Sequence, residues 1–217
     1  MRTRLSRIEP RTVAVVHPDC AASVFWELDS AVAAKVIADG SARFEKEAWL
    51  ATVLLDGGCG FNLVAATGAS ERVIASVLHC SPAQAPGAAQ LPTAPVSSDS
   101  HLLTSLHIDS ALAGCGLESV LIDAVVAELM NHNVHAVEAI AYRRDYVGDL
   151  STQTTRLLAI ADRAAEHGIM GLDLLESAGF KVIQDHPLFP RVRIELPPPH
   201  ALLTAEAVEQ LLSRAVV

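Results

Sequence analysis

Long apolar runs are missing: no stretch approaches the ~18 residues that a membrane span needs, so no membrane partner is expected. Close cysteine pairs are missing as well. Cys20, Cys59, Cys80 and Cys115 stand far apart with no Cys-x-x-Cys, and the nine histidines include no His-x-x-x-His or His-Glu-x-x-His. Zinc sites normally show such local pairs. No metal is therefore expected, and the thiols read as buried and reduced. Positive charge is scarce: 16 Lys+Arg face 25 Asp+Glu, for a formal net charge of -9. A phosphate backbone would be repelled by that balance, which argues against a nucleic-acid partner. The one dense basic stretch, Arg2, Arg4, Arg7 and Arg11, falls in residues 1–11 and reads as a flexible, solvated terminus. It lacks the apolar region of a signal peptide, so a cytoplasmic location is expected.

What is present is apolar material sufficient for one core. Hydrophobic residues make up 51% of the chain and charged residues 19%, which excludes a disordered or coiled-coil protein. A chain of 217 residues buries roughly 70% of its unfolded surface without needing staples.

Residues 12–17 carry a short strand pattern. Helical stretches follow at 21–29 and from 31 towards 55, closed by Gly57, Gly58 and Gly60. Residues 61–66 and 72–79 read as two β runs joined by Thr67, Gly68 and Ala69, an antiparallel meander. Residues 81–100, with Pro82, Pro86, Pro92 and Pro95, form a long loop of the kind that is more often functional than decorative.

The next segment is the most informative. Residues 102–108 (LLTSLHI) read as a strand and 109–116 (DSALAGCG) as a loop ending in two glycines. A helix opens at Leu117, with Val120, Leu121, Ala124, Val125 and Leu129 on its apolar face, and Asn131 and Asn133 end it. Residues 134–142 make a second strand, so the unit is a right-handed crossover between parallel strands. Beyond it, residues 152–167 form an amphipathic helix capped by Gly168, and 172–178 a shorter helix ended by Gly179. Residues 181–184 and 191–196 pair as a hairpin. After the prolines at 197–199, Thr204 caps a terminal helix over 204–217. The predicted fold class is α/β of the α+β type: a mixed, mostly antiparallel twisted sheet with one β-α-β crossover and flanking helices.

Gly114-Cys115-Gly116 thus lies between a strand end and a helix N-terminus, where unpaired amides and the helix dipole favour an anion. Glycine lets the main chain approach it closely. A phosphate or diphosphate is the natural ligand of such a site, and a tight turn that binds nothing is the alternative. A Walker loop is excluded, because the nearest lysine to Gly116 is Lys181. A dinucleotide fingerprint would want a third glycine where Ser119 stands.

The order of elements and this loop resemble the GNAT superfamily of acyl-CoA-dependent N-acyltransferases, whose signature is Arg/Gln-x-x-Gly-x-Gly/Ala. The matching stretch is Ala111-Leu112-Ala113-Gly114-Cys115-Gly116, and Gly179-Phe180 with the hairpin after it matches a second family mark. The resemblance covers about residues 12–196 as one acyltransferase domain, and its motifs lie from Leu102 onward. It implies acetyl-CoA as co-substrate, an amine acceptor, and transfer by direct attack. It also implies that Leu106, His107 and Ile108 pair with the pantetheine arm, and that Gly114, Cys115, Gly116, Leu117, Glu118 and Ser119 hold the diphosphate. Two positions depart from the family. Ala111 stands where Arg or Gln is usual, which leaves phosphate binding to backbone dipoles helped by Arg143 or Arg144, and Leu175 replaces the frequent tyrosine acid. A member that keeps the fold for binding or oligomerisation is the alternative.

For proton transfer the sequence offers His101 and His107 as candidate bases, with Asp99 beside His101. Cys115 at a helix N-terminus reads as a packing residue rather than a reactive thiol. Phe25-Trp26-Glu27 either lines an acceptor groove or anchors an early helix. The terminal helix is a candidate for homodimer formation or for docking on its own domain.

Overall fold

The computed structural model describes residues 2–144, 146 and 154–214. Seven strands form one sheet in the order β1-β2-β3-β4-β5-β7-β6. The strands are β1 (Arg2–Arg7), β2 (Cys59–Thr67), β3 (Ser70–Cys80), β4 (Ser100–Ile108), β5 (Ala136–Ile140), β6 (Lys181–Gln184) and β7 (Arg191–Glu195). Among the described strands only β4 and β5 pair in parallel, and they do so at Ser100–Leu102 against Ala136–Glu138 alone. Beyond that short ladder the two strands diverge.

The β2–β3 hairpin turns at Gly68, whose φ of 62° suits a residue without a side chain. α4 (Leu117–Asn131) crosses between β4 and β5 and buries Val120, Leu121, Val125 and Leu129 against Leu63, Ile74 and Val77 of the sheet. A second apolar cluster on the opposite side holds Phe25, Trp26, Ile160 and Phe189. It is closed by the loop at 81–99, where two single turns of 3₁₀ helix, Pro82–Gln84 and Pro86–Gln90, bring Gly87 against the backbone of Phe25.

The N-terminal region differs from the sequence reading. Residues 2–7 are not a flexible tail: they pair antiparallel with β2, and Arg4 and Arg7 bind Glu71 and Glu128. Residues 12–17 are not a strand. They cross the sheet as a loop, with Val15 O accepting from Asn62 Nδ2 and His17 N–H donating to Ser76 Oγ. The helical stretch from 31 to 55 is two helices, α2 (Ser30–Ala38) and α3 (Ala42–Leu55), separated by left-handed Gly40. α2 is capped by Asp29, which accepts from the amides of Ala31 and Val32. Of the expected helix at 21–29 only Ala21 and Ala22 are helical, as the end of α1 (Pro18–Ala22).

The C-terminal half follows expectation more closely, with α5 (Thr155–Asp162), α6 (Leu172–Ser177) and the β6–β7 hairpin. The first two positions of the predicted helix at 152–167 lie outside the described residues, and α5 stops at Asp162, so that residues 163–168 are turns and Gly168 does not cap the helix. α7 (Ala205–Arg214) docks on its own domain: Leu202, Leu211 and Leu212 pack against the main cluster, and Asp123 accepts from the amide of Leu203. Residues 215–217 of that predicted helix also lie outside the described set.

Candidate functional site

Over the end of β4, near where β4 and β5 part, lies a cleft of about 1290 Å³ that no residue of β5 lines. One wall comes from α1 and α2, with His17 and Ala33. The floor is the end of β4, Leu106 to Asp109, and the far wall carries Arg163, His167 and Met170. All three residues expected to face a pantetheine arm, Leu106, His107 and Ile108, line this cleft.

The glycine loop adjoins it. Gly114 and Gly116 have φ of 77° and 85°, the left-handed region that glycine enters without a Cβ clash, and Gly116 is the N-cap of α4. No side chain caps the helix, so the orphan donors of its first turn are left to an external acceptor. Glu118 takes up one nearby donor: its Oε1 accepts from the Gly114 amide at 2.6 Å, from a buried position. A carboxylate thus sits where an anion would bind, which the sequence reading, counting Glu118 among the holders of a diphosphate, did not foresee. Cys115 is exposed, Ser119 half-buried, and Leu117 wholly in the core, so Leu117 offers only its backbone. Leu211 of α7 lies 3.1 Å from where a Cβ on Gly116 would stand.

His107 is buried beneath the cleft. Its Nε2 lies 3.2 Å from Glu166 O. A carbonyl can only accept, so Nε2 carries the proton and Nδ1 is left with a bare lone pair, which has no hydrogen-bond partner. Burial pushes this imidazole down to about 3, the Glu166 carbonyl opposing only in part, so it is neutral. His17 stacks beside it with ring centroids 6.3 Å apart and reaches Asp109 Oδ1 at 3.1 Å, while its Nδ1 accepts from the Asp19 amide. Both nitrogens of His17 are therefore in use.

His101 does not reach the cleft. It stands at the start of β4, the opposite end from Ile108, with Nδ1 at 3.3 Å from His79 Nδ1. Burial, then the neighbouring His79, lowers it to about 4. The geometry separates it from the groups that could hold a substrate. Asp99 likewise faces elsewhere, paired with Arg193. Nor do the expected helpers join the site: Arg143 binds Asp185 Oδ1 at 2.7 Å, and Arg144 is not among the cleft's lining residues. The cations that line the cleft are Arg156 and Arg163 of the α5 region, which the sequence reading did not single out. Leu175 is fully buried, so that position offers no proton donor. Phe25 both lines the cleft and stacks on His167, whereas Trp26 anchors the segment through Nε1–H, which donates to His167 O at 2.9 Å. Glu27 forms a buried ion pair with Lys46.

Among solved structures the chain resembles the PaiA N-acetyltransferase of Thermoplasma acidophilum in complex with coenzyme A. The match has a TM-score of 0.53 at 7% identity and covers 90% of this chain and 99% of that one. It resembles the ribosomal-protein-S5-alanine acetyltransferase of Vibrio fischeri with a TM-score of 0.51, 9% identity, and coverage of 91% and 94%. An N-acetyltransferase from Staphylococcus aureus gives 0.50, 13% identity, and coverage of 90% and 99%. No protein-family model and no curated protein matches the sequence. At these identities the likeness establishes the fold.

Proposed function

We propose that this chain, built on the fold of the GNAT N-acetyltransferases, moves an acetyl group from acetyl-CoA to a primary amine. One juxtaposition carries the reading. A parallel strand pair that separates after three residues, a cleft over the end of β4, and an uncapped helix N-terminus with two left-handed glycines lie side by side.

The loop suits the cofactor's diphosphate. Gly114 is exposed, no Cβ intervenes at Gly114 or Gly116, the α4 dipole favours negative charge, and Arg156 and Arg163 line the adjoining cleft. The arm's track is taken in this conformation, because the Leu106 amide donates to Gly168 O and Glu118 holds the Gly114 amide. Acetyl-CoA supplies an acyl group as a thioester; its transfer to an amine nitrogen forms an amide and sets free the coenzyme thiol. Of the two histidines read from the sequence, we assign the amine's proton to His107, a reading supported by its unpartnered Nδ1. Uncovering the cleft would return water to the imidazole and raise its basicity towards the ordinary histidine range.

Thiol release from acetyl-CoA over a panel of primary amines tests this directly. Turnover that falls at least about a hundredfold in His107→Gln, the low end for loss of a general base, is the expected result. A second reading, a protein that keeps the fold for binding without turnover, is favoured by Leu175 and by the self-satisfied amides of Leu106 and Gly114. It predicts no thiol release above background with any amine.

A further inference from the structure

The gap between β4 and β5 is filled by the chain itself. The Leu106 amide, on the edge of β4 facing the gap, donates to Gly168 O at 2.9 Å. On the far side, the Tyr142 amide donates to Met170 O at 2.8 Å, and Tyr142 O accepts from the Leu172 amide at 2.9 Å. Residues 168–171 therefore lie between the diverging strands, with Gly168 left-handed at the end of a run of turns and Gly171 bridged in parallel to Tyr142. The seat is close. Gly168 has φ of 68°, and a Cβ there would meet His107 Cε1 at 2.6 Å and Ser105 Cβ at 2.7 Å. From the α1 side the segment is latched by the Trp26 indole on His167 O and by Phe25 stacked on the His167 ring with centroids 4.3 Å apart, and from β4 by His107 Nε2–H on Glu166 O.

The cover is nevertheless incomplete. Two buried polar atoms beneath Gly168 lack hydrogen-bond partners: His107 Nδ1, and Ser105 Oγ, which has only the weak Cys20 thiol beside it. Buried polar atoms are ordinarily satisfied, and bare ones under a cover point to an occupant other than the cover. The segment is held to β4 by one main-chain hydrogen bond, where a paired strand would make several, and by the His107 side chain on Glu166 O.

We infer that residues 163–171 are a strap that closes the cofactor track and lifts from β4 when acetyl-CoA enters, exchanging the Gly168 carbonyl for the pantetheine arm on the Leu106 amide. This deepens the acetyltransferase reading and rests on it. Affinity in such a system is lowered by the fraction of molecules held closed, so loosening the latch strengthens binding without touching the cofactor's own contacts.

The test combines calorimetric titration with acetyl-CoA and amide hydrogen exchange. His167→Ala removes the stack on Phe25, and Trp26→Phe removes the indole hydrogen bond. Each is expected to lower Kd about threefold to tenfold, the equivalent of one aromatic pair or one hydrogen bond. In the unmodified chain, saturating acetyl-CoA is expected to expose the Tyr142 and Leu172 amides, which bond to Met170 O and Tyr142 O along the far edge of the closed strap. That measurement needs neither variant to fold. Equal Kd in all three proteins, with those two amides still protected, overturns the strap and leaves the cofactor reading standing. No binding by any of them at millimolar acetyl-CoA removes the cofactor reading and the strap with it.

Discussion

Gly168→Ala probes a contact that leaves no room for a Cβ. The residue needs φ of 68°, and its would-be Cβ falls within 3.0 Å of three atoms of His107 and Ser105. Holding a non-glycine residue in the left-handed region costs about 1–2 kcal/mol, and overpacking a filled core costs about 1–3 kcal/mol. A strap that stayed seated would therefore lower stability by about 2–5 kcal/mol. If the strap lifts instead, the loss is capped at the free energy that seats it, because a segment can open without the rest of the domain. Urea denaturation gives the global loss and hydrogen exchange at the Leu106 amide gives the local one. The expected outcome is a global loss of less than about 2 kcal/mol together with near-complete loss of protection at Leu106. A variant as stable as the parent, with the Leu106 amide still protected, would refute the packing argument.

Glu138 is wholly buried and bridges Arg191 at 2.7 Å and Arg193 at 3.0 Å; Glu138→Ala leaves Arg191 without a carboxylate, while Arg193 keeps Asp99 and Glu195. A loss of about 3–5 kcal/mol in urea denaturation is expected, and one under about 1 kcal/mol contradicts it. Glu118→Gln removes the negative charge beside the α4 N-terminus; acetyl-CoA is expected to bind more tightly by about 0.3–1 kcal/mol in calorimetry, with weaker binding the adverse result. Burial lowers His107 to about 3, His101 to about 4 and His167 to about 4. The unfolded chain then holds more protons than the folded one between those values and pH 6.5, so stability is full above pH 6.5 and falls as pH drops towards 4. His107 alone contributes a slope approaching about 1.4 kcal/mol per pH unit in that window; thermal melts that stay flat from pH 7 to pH 4.5 would count against it.

The crossover unit was legible because its residues agree at every level. Leu117, Val120, Leu121 and Val125 repeat at helical spacing, and the structure buries them all; Gly116, Gly168 and Gly179 are left-handed where the sequence places helix ends. β1 was missed because Arg2, Arg4 and Arg7 look like a solvated basic run, and nothing local shows that Glu71 and Glu128 wait for Arg4 and Arg7. The β-branched residues at 12–16 mimic a strand, yet the hydrogen bonds they need come from the Asn62 side chain and not from a neighbouring strand. The cleft itself was partly readable. Leu106 to Ile108 and the glycine loop lie where the strand–loop–helix order puts them, whereas His101 is at the wrong end of the same strand. The strap was hidden for a different reason. Gly168 could be read as the end of a helix, but its carbonyl meets Leu106 across 62 residues of chain, and no periodicity reports such a pairing.

The most direct trial of the central claim is a calorimetric titration of the unmodified protein with acetyl-CoA at near-physiological salt. The account predicts saturable binding of one acetyl-CoA per chain, abolished when Gly114 and Gly116 are both replaced by valine in a protein that keeps its fold. Binding that survives the double replacement unchanged, or no binding at all at millimolar acetyl-CoA, would contradict it.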